Sequence, residues 1–480
     1  MTAKDAQAEL PVLVVDLDGT LILSDMLFES FWAGLADDWR TPFASVRALV
    51  SGRAALKRRL ARQASVSVES LPFNEDVIAR VRDWRASGGR AALVSASDAT
   101  LVEAVADHLG LFDEVFGSDG ETNLKGARKS RFLEARYGAR GYAYIGDSAA
   151  DLPVWRNAAR AITANAPTTL RRRVAALGGD HDHIGAPSRR LAAYAAALRP
   201  HQWLKNVLVF VPMLAAQAFA WPVILQALLA FAAFSLVSSS VYVLNDLLDL
   251  RSDRAHPRKR QRPFAAGRVP IAHGTVMSPL LLLAGLGLAA LAGGSLFLVL
   301  LGYFFLTTWY SLALKRRAIA DICALAGLYT LRIVAGAVAT GIGLSVWLLA
   351  FSIFFFFAMA AVKRQAELVD LAHRGVLAAA GRGYNVEDLP LVAQMASASG
   401  YVSVLVLALY LNAPGVQVLY SAPWLLWGIC LVLLYWISRI VLITHRGRMD
   451  DDPVLYAVKD RTSLVCMALI AGFSIGAAVL

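Results

Sequence analysis

The sequence predicts two domains, an N-terminal α/β domain built on a doubly wound parallel sheet with a small helical cap, and an all-α C-terminal domain of nine transmembrane helices. Three observations predict it. Short apolar runs in the first third each end in a polar residue, long runs almost free of charge begin only after Trp203, and basic residues recur between those long runs. At 480 residues the chain exceeds what one hydrophobic core usually spans. Apolar residues make up 57%, mean hydropathy is +0.52, and the net charge is still +11, which suits an integral membrane protein with basic aqueous loops.

The strands come first. Leu10 to Val15 ends in Asp16, Ala91 to Val94 ends in Ser95, and Tyr142 to Ile145 ends in Gly146-Asp147. Runs of this length read as buried parallel strands, and the stretches between them have helical periodicity. Strand, helix, strand order implies ligand binding at the strands' carboxyl ends, where all three runs deliver polar residues. The long stretch between the first two strands exceeds a simple crossover and predicts a helical cap that gates substrate access. Residues 166–198 contain Arg171-Arg172-Arg173, Gly178-Gly179 and Pro187, and read as a basic linker between domains at 1–165 and 199–480. The His181-Asp182-His183 tract within it reads as solvated loop rather than a metal tract.

Nine spans are expected, at about 204–221, 223–245, 272–292, 295–313, 319–340, 344–362, 391–412, 421–444 and 460–480, each near the ~20 residues a bilayer needs. Loop 251–268 holds seven Arg or Lys, 315–317 reads Lys-Arg-Arg, 363–364 reads Lys-Arg, and 446–461 is basic again. The loops near Ala216, Gly293, Gly341 and Pro414 hold none. By the positive-inside rule the basic loops and the N-terminal head face the cytoplasm, and an odd number of spans leaves Leu480 outside. Met1 to Leu10 lacks the basic start and apolar stretch of a signal peptide. Cys323, Cys430 and Cys466 lie in apolar segments without CxxC spacing, so they read as small core residues, not as a disulfide or zinc set. Topology accounts for the clustered Arg and Lys, which argues against nucleic acid as a partner.

Asp16-Leu17-Asp18-Gly19-Thr20 places two carboxylates at a turn that follows its strand directly. One can attack phosphorus while the other protonates the leaving oxygen and later activates water. A cation for the phosphate oxygens and a metal that offsets repulsion complete the requirement. Over residues 10–165 the chain resembles the haloacid dehalogenase (HAD) superfamily, which implies a Rossmannoid phosphatase fold. The resemblance makes Asp16 the nucleophile, Asp18 the acid and base, Thr20 and Ser95 phosphate-binding hydroxyls, and Gly146-Asp147-Ser148-Ala149-Ala150-Asp151 the Mg²⁺ motif. Its implied metal set is Asp16, Asp18, Asp147 and Asp151. Lys125 and Lys129 both stand where the family has its phosphate-binding lysine, and the Gly-x-x-Lys-x-x-x-Leu phrasing at 126–133 favours Lys129. Glu29, near the start of the cap, is a candidate substrate contact.

The second expected span ends in Asn245-Asp246-Leu-Leu-Asp249-Leu-Arg-Ser-Asp253. On a helix, positions 246, 249 and 253 lie within about 60° of one another, so three carboxylates share one face. Such a face needs a hard divalent cation, and Mg²⁺ commonly joins carboxylates to substrate phosphates. Arg258, Lys259, Arg260 and Arg262 follow and could grip a diphosphate. In the fifth expected span Asp321 and Arg332 lie about 20° apart with Tyr329 near the same face, so a second acid could oppose the first cluster unless Arg332 neutralises it.

Over residues 195–480 these features resemble the UbiA superfamily of intramembrane prenyltransferases, which implies a nine-helix fold and two Asp-rich, Mg²⁺-binding motifs. Asn245 to Asp253 fits the first motif; the second has Leu325 where an acid is usual. The polyprenyl-phosphate phosphoribosyltransferase branch looks closer. Its style shows in Leu198-Arg-Pro-His-Gln-Trp-Leu-Lys205-Asn206, His256-Pro257 with Arg262-Pro263, Lys363-Arg364-x-x-Glu367, Arg382-Gly383-Tyr384 and Asp452-Pro453-Val454 leading to Lys459-Asp460-Arg461. The resemblance implies Asp246, Asp249 and Asp253 as catalytic metal ligands, and Lys205, Asn245, Arg258, Arg262, Asp321, Tyr329, Arg332 and Lys363 as substrate contacts. It also implies that polyprenyl phosphate attacks C1 of phosphoribosyl diphosphate and displaces pyrophosphate. A fused phosphatase would then remove the 5-phosphate to leave polyprenylphosphoryl ribose at the cytoplasmic membrane. The competing expectations are an aromatic prenyltransferase with an unrelated phosphatase, and a transporter or receptor with a regulatory head.

Overall fold

A computed structural model gives the structure of residues 10–63, 66–119, 124–185, 190–377, 382–449 and 452–480. The chain divides into two compact units, residues 1–199 with 242–279, and residues 200–241 with 280–480. The expected limits 1–165, 166–198 and 199–480 therefore change in one respect that bears on function. The stretch around Asp246, Asp249 and Asp253 belongs to the first unit.

The first unit is built on one six-stranded sheet of β1 (Val12–Val15), β2 (Ala91–Asp98), β3 (Glu114–Ser118), β4 (Tyr142–Gly146), β5 (Arg160–Ala164) and β6 (Asp180–Ile184). Its order is β3-β2-β1-β4-β5-β6, with every pair parallel. Successive strand residues face opposite sides. Leu13, Val15, Leu93 and Ile145 pack on Val77, Ile78 and Val81 of α4 (Glu75–Ala86) and on Val102 and Val105 of α5 (Ala99–Leu109). On the other side Val14, Val94, Tyr142 and Tyr144 meet Leu133 of α6 (Ala127–Tyr137) and Val154 and Trp155 of α7 (Leu152–Asn157). Burial on both faces is why the strands read as continuous apolar runs. Each fully buried side chain of this size contributes roughly 1.5–3 kcal/mol.

Register then fixes the chemistry. Val15 is paired with Leu93 on one side and Ile145 on the other, so Asp16 leaves the sheet between the ends of β2 and β4. That is the switch point where open α/β sheets bind ligands. The expected cap is present as α1 (Met26–Asp37), α2 (Thr41–Val50) and α3 (Arg53–Gln63). Asp25 caps α1, its side chain accepting from Leu27 N at 2.9 Å.

The described residues of 166–198 are not a linker, and Pro187 lies outside the described residues. They form α8 (Thr168–Ala175), β6 and α9 (Arg190–Leu198), and His181-Asp182-His183 lies within β6, paired from Ala161 to Thr163 of β5. An edge strand is exposed along one side, so backbone pairing holds it while its side chains stay polar. Asp182 is held by Arg80 at 2.6 Å, and the Thr163 hydroxyl and His183 Nδ1 lie 2.8 Å apart. The first unit is completed by the end of α11 (Trp221–Leu248), by α12 (Leu250–Ala255), by a 3₁₀ turn at Lys259–Gln261 and by the start of α13 (Ile271–Ala292).

The second unit is helical. It holds α10 (Val211–Ala215), most of α11, the end of α13, α14 (Gly294–Leu312), α15 (Ala320–Thr340), α16 (Val346–His373), α17 (Leu389–Leu411), α18 (Pro414–Leu419), α19 (Trp427–His445), α20 (Pro453–Lys459) and α21 (Arg461–Val479). Among the described residues, eight helices rather than the expected nine are long and apolar enough to cross a membrane. The expected first span, 204–221, is instead a 3₁₀ stretch, Pro200–Phe210, followed by the short α10, where Pro212 falls in the first helical turn and lacks the N–H to continue a preceding ladder. Phe234, Leu296, Leu300, Tyr303 and Leu328 form one core, and Met359, Leu368, Tyr384 and Ile440 another. Leu298, Phe305, Leu431 and Ile475 are exposed, as helices facing lipid require. Cys430 and Cys466 are buried as expected; Cys323 is exposed, because it lies on the outer side of α15.

Candidate functional site

The switch point of the sheet gathers most of the first set of expected residues. Lys129, on the first turn of α6, donates to Asp16 Oδ1 at 2.7 Å and to Tyr144 Oη at 3.0 Å; Tyr144 Oη donates to Asp151 Oδ1 at 3.0 Å. Asp151 also accepts from Ser148 N and Oγ, which closes the turn after β4. Lys125 is exposed, and Lys129 is the lysine that the structure buries against Asp16. One carboxylate oxygen each from Asp16, Asp147 and Asp151 lies within 4.8 Å of the others. A Cβ on Gly19, whose φ is +76°, would stand 2.3 Å from Asp147 Oδ2, so only glycine lets the turn approach this carboxylate. Three hard oxygen donors at this spacing fit a divalent cation such as Mg²⁺, which would screen their repulsion and polarise a phosphoryl oxygen.

Asp18 is expected both as the acid and base and among the metal ligands; its carboxylate accepts from Met26 N at 2.8 Å, Ser97 Oγ at 2.6 Å and Ser95 Oγ at 3.3 Å and is not one of the three acids whose oxygens cluster. Met26 N, the first N–H of α1, is aimed at the Asp18 carboxylate, while the next, Leu27 N, is taken by Asp25. Ser97, and Lys57 of α3, whose Nζ donates to Ala96 O at 2.6 Å, are site residues that the sequence reading missed. Ser97 stands two residues beyond Ser95 on β2; Lys57 sits in a basic helical run with no local signal. The Thr20 hydroxyl is buried and has no hydrogen-bond partner among the described residues, while its carbonyl accepts from Asn74.

Burial pushes the Asp16 carboxyl up to about 7, with Asp151 and Asp18 adding to the rise and Lys129 opposing it. Burial and Asp25 push Asp18 up to about 6, and burial with the Asp16 and Asp151 charges holds Asp147 well above the carboxylate range. Burial works against the Lys129 charge, but Asp16 and Asp151 hold it above its ordinary value. Two carboxyls with different partners in one site is the pattern of a nucleophile and a separate acid.

The first unit also carries the Asp-rich motif. Asp249 separates α11 from α12, but the backbone bonds from Asp249 N to Asn245 O and from Asp253 N to Asp249 O run on at 2.9 and 2.8 Å, so the helical path continues through the break. Arg262 bridges Asp246 at 3.1 Å and Asp253 at 2.6 Å, and Arg199 pairs with Asp246 from the other side. Asp246 Oδ2 is buried and has no hydrogen-bond partner among the described residues, which fits a place for a further cation. Burial raises Asp253 above its ordinary value, and Arg262 opposes that rise. Arg258 is exposed, and the contact it makes with His256 is through its backbone N–H, so it is not brought to these acids. Glu29 is engaged by Arg254, not free for a substrate.

In the second unit Arg332 does not neutralise Asp321. Arg332 donates to Asn206 Oδ1 at 3.0 Å and Tyr303 Oη at 3.2 Å and lies over the Tyr329 ring. Asp321 is held by Arg364 at 2.8 Å and by Tyr384 Oη at 2.6 Å, with Arg382 at 3.7 Å. Arg364 also pairs with Glu367. Two of the quoted motifs, Lys363-Arg364-x-x-Glu367 and Arg382-Gly383-Tyr384, thus converge on this buried acid. A second cluster joins Lys205 to Asp452 beside the Tyr329 ring. Burial disfavours the Asp452 carboxylate, but Lys205 and Lys363 together hold its pKa below the ordinary value. Asp452 was read only as part of a motif; its role as partner of Lys205 needs a contact across most of the unit's sequence.

Residues 206–460 match the UbiA prenyltransferase family, and residues 13–156 match the haloacid dehalogenase-like hydrolases. The chain is 37% identical over 462 residues to protein y4nM of Sinorhizobium fredii, covering 96% of this chain and 89% of that one. It is 39% identical over 290 residues to the nodulation protein NoeC of Azorhizobium caulinodans, covering 59% of this chain and 91% of NoeC. It is also 39% identical over 194 residues to the decaprenyl-phosphate phosphoribosyltransferase of Mycobacterium tuberculosis, covering 38% of this chain and 62% of that enzyme. With eight helices among the described residues suited to a bilayer, the protein is an integral, multi-pass membrane protein. The chain belongs to the UbiA prenyltransferase family and carries a haloacid dehalogenase-like hydrolase domain at its N-terminal end.

Proposed function

We propose that this protein transfers 5-phosphoribosyl from phosphoribosyl diphosphate to a polyprenyl phosphate and then removes the 5-phosphate, leaving polyprenylphosphoryl ribose. In the first reaction a lipid phosphate oxygen bonds to ribose C1 and the C1–O bond to pyrophosphate breaks. In the second, the Asp16 carboxylate bonds to the 5-phosphorus while Asp18 gives its proton to the departing ribose oxygen. Asp18 then takes a proton from water, which attacks the aspartyl phosphate and frees inorganic phosphate. Mg²⁺ would be held by Asp16, Asp147 and Asp151 in the hydrolase, and by Asp246 and its neighbours in the motif.

The observation that carries this reading is a set suited to phosphomonoester hydrolysis, Asp16, Asp18, Lys129, Asp147 and Asp151, on the same chain as a transferase domain whose mycobacterial relative is named for phosphoribosyl transfer. The product of that transfer would bear the monoester such a set hydrolyses, and tethering raises the head's effective concentration near it. Leu325 and the capture of Asp321 by Arg364 and Tyr384 argue against the two-motif chemistry of aromatic prenyl transfer.

The same reading places the head and the basic loops on the cytoplasmic side, where the water-soluble donor is. The ninth crossing would be residues 200–215. Eleven residues of 3₁₀ rise with five of α rise span roughly 30 Å, about one hydrocarbon core. The test is Asp16→Asn in membranes supplied with both substrates. The reading expects the phosphorylated ribosyl lipid to accumulate and the dephosphorylated one to vanish; unchanged products would refute it.

A further inference from the structure

Three contacts within the first unit join the entrance of the hydrolase site to the stretch that follows Asp246. Glu29, on α1, accepts from Arg254 Nη1 at 3.0 Å and from Nη2 at 2.6 Å, and both side chains are almost fully buried. The Ser24 hydroxyl donates to Glu29 Oε1 at 2.5 Å. Trp32, one turn along α1, donates from Nε1 to Thr275 Oγ1 at 2.9 Å. Gly267, at φ +66°, lies so close to Leu23 that a Cβ there would come within 2.5 Å of the Leu23 Cβ.

An exposed ion pair would matter little here. A buried, two-pronged pair is different, because separating it leaves two charges in a medium that does not solvate them, and the planar fork fixes one geometry. The anchored elements are the ones that hold Asp18. Gly19 N donates to Ser24 O at 2.9 Å, which closes the turn, and Met26 N, at the start of α1, donates to Asp18 Oδ1 at 2.8 Å.

We infer that Glu29 and Arg254 are a positioning pair for the hydrolase. Arg254, the neighbour of Asp253 in the Asp-rich motif, fixes the first turns of α1, and through the Met26 N–H it fixes the direction in which Asp18 presents its proton. The cap's first helix is thereby clamped to the 254–275 stretch, and the hydrolase is fully organised only when that stretch is folded in place. Neither residue touches the reacting atoms, and the inference rests on the phosphatase reading above.

The test uses the full chain in lipid nanodiscs, with Glu29→Gln, Arg254→Met and the swapped pair Glu29→Arg with Arg254→Glu. The substrate is a small aryl phosphomonoester that needs no membrane chemistry. Hydrogen exchange is followed over residues 24–32, with residues 99–109 as an internal control. Arg254→Met is expected to speed exchange at 24–32 and to lower kcat about ten-fold with KM within about two-fold, as small misplacements of a catalytic group do. The swapped pair is expected to recover most of both. Unchanged exchange at 24–32 would overturn the inference. So would faster exchange with kcat within about two-fold of the unaltered protein, since the pair would then serve packing alone. If the unaltered protein fails to hydrolyse the ester, the phosphatase reading fails, and the exchange arm, which needs no substrate, still decides whether the clamp exists.

Discussion

Lys129 Nζ lies 2.7 Å from Asp16 Oδ1 and is buried, whereas Lys125, in the loop before α6, is exposed. If Asp16 is the attacking carboxylate, as proposed, a buried ammonium beside it is where the phosphoryl charge would be met. Lys129→Met should therefore lower phosphatase kcat by about 100-fold or more, and Lys125→Met by less than about three-fold. Turnover of a phosphomonoester by the two variants checks the assignment.

The buried carboxyls of the hydrolase site make a prediction about pH. Burial raises Asp16 to about 7 and Asp18 to about 6, from an ordinary value of 3.8, so the folded protein retains protons that the unfolded chain has released. Stability from these groups is present at low pH and is lost as pH rises from about 4 to about 7. In a chelator, the melting midpoint of the hydrolase should fall between pH 5 and pH 7.5, and added Mg²⁺ should raise it most at the upper end. No response to Mg²⁺ at either pH would contradict a cation site at Asp16, Asp147 and Asp151.

Asp321 and Arg364 are both fully buried. Removing one partner should cost about 3–5 kcal/mol, and removing both with apolar residues should cost less than the two single changes added together. Unfolding in detergent of Asp321→Leu, Arg364→Met and the double variant tests this. Strict additivity would mean that the pair is not coupled.

Asp246 takes both Arg199 and Arg262 and retains a buried oxygen without a hydrogen-bond partner among the described residues, while Arg258 is exposed. Asp246→Asn should reduce ribosyl transfer at least about 100-fold, and Arg258→Ala should leave it within about three-fold, as expected if diphosphate charge is met at the buried acid and not in the exposed loop. Initial rates of lipid ribosylation check both.

What the sequence disclosed was local. Asp16, Ser95 and Asp147 each follow an apolar run directly, and buried parallel strands bring such positions together whatever lies between them. β6 was misread as linker because an edge strand carries polar residues and Gly178-Gly179 precedes it; only its pairing with β5 shows what it is. The direction of the Asp18 carboxylate depends on Met26 N at the start of a cap helix, and spacing along the chain does not report it. Glu29 and Arg254 are separated by most of the head and a span, so no periodicity links them. Asp321 shows the same limit. Helical angles put Arg332 beside it, but Arg364 and Tyr384 arrive from other elements and take the charge instead. The first expected span, 204–221, is not a single α-helix for a local reason, since Pro212 interrupts the ladder within it.

The most direct test of the account is to give the purified protein Mg²⁺, polyprenyl phosphate and phosphoribosyl diphosphate labelled at the 5-phosphate, and to follow the label. The account predicts ribose in the lipid fraction, with the label released as inorganic phosphate; a lipid fraction without ribose would contradict it.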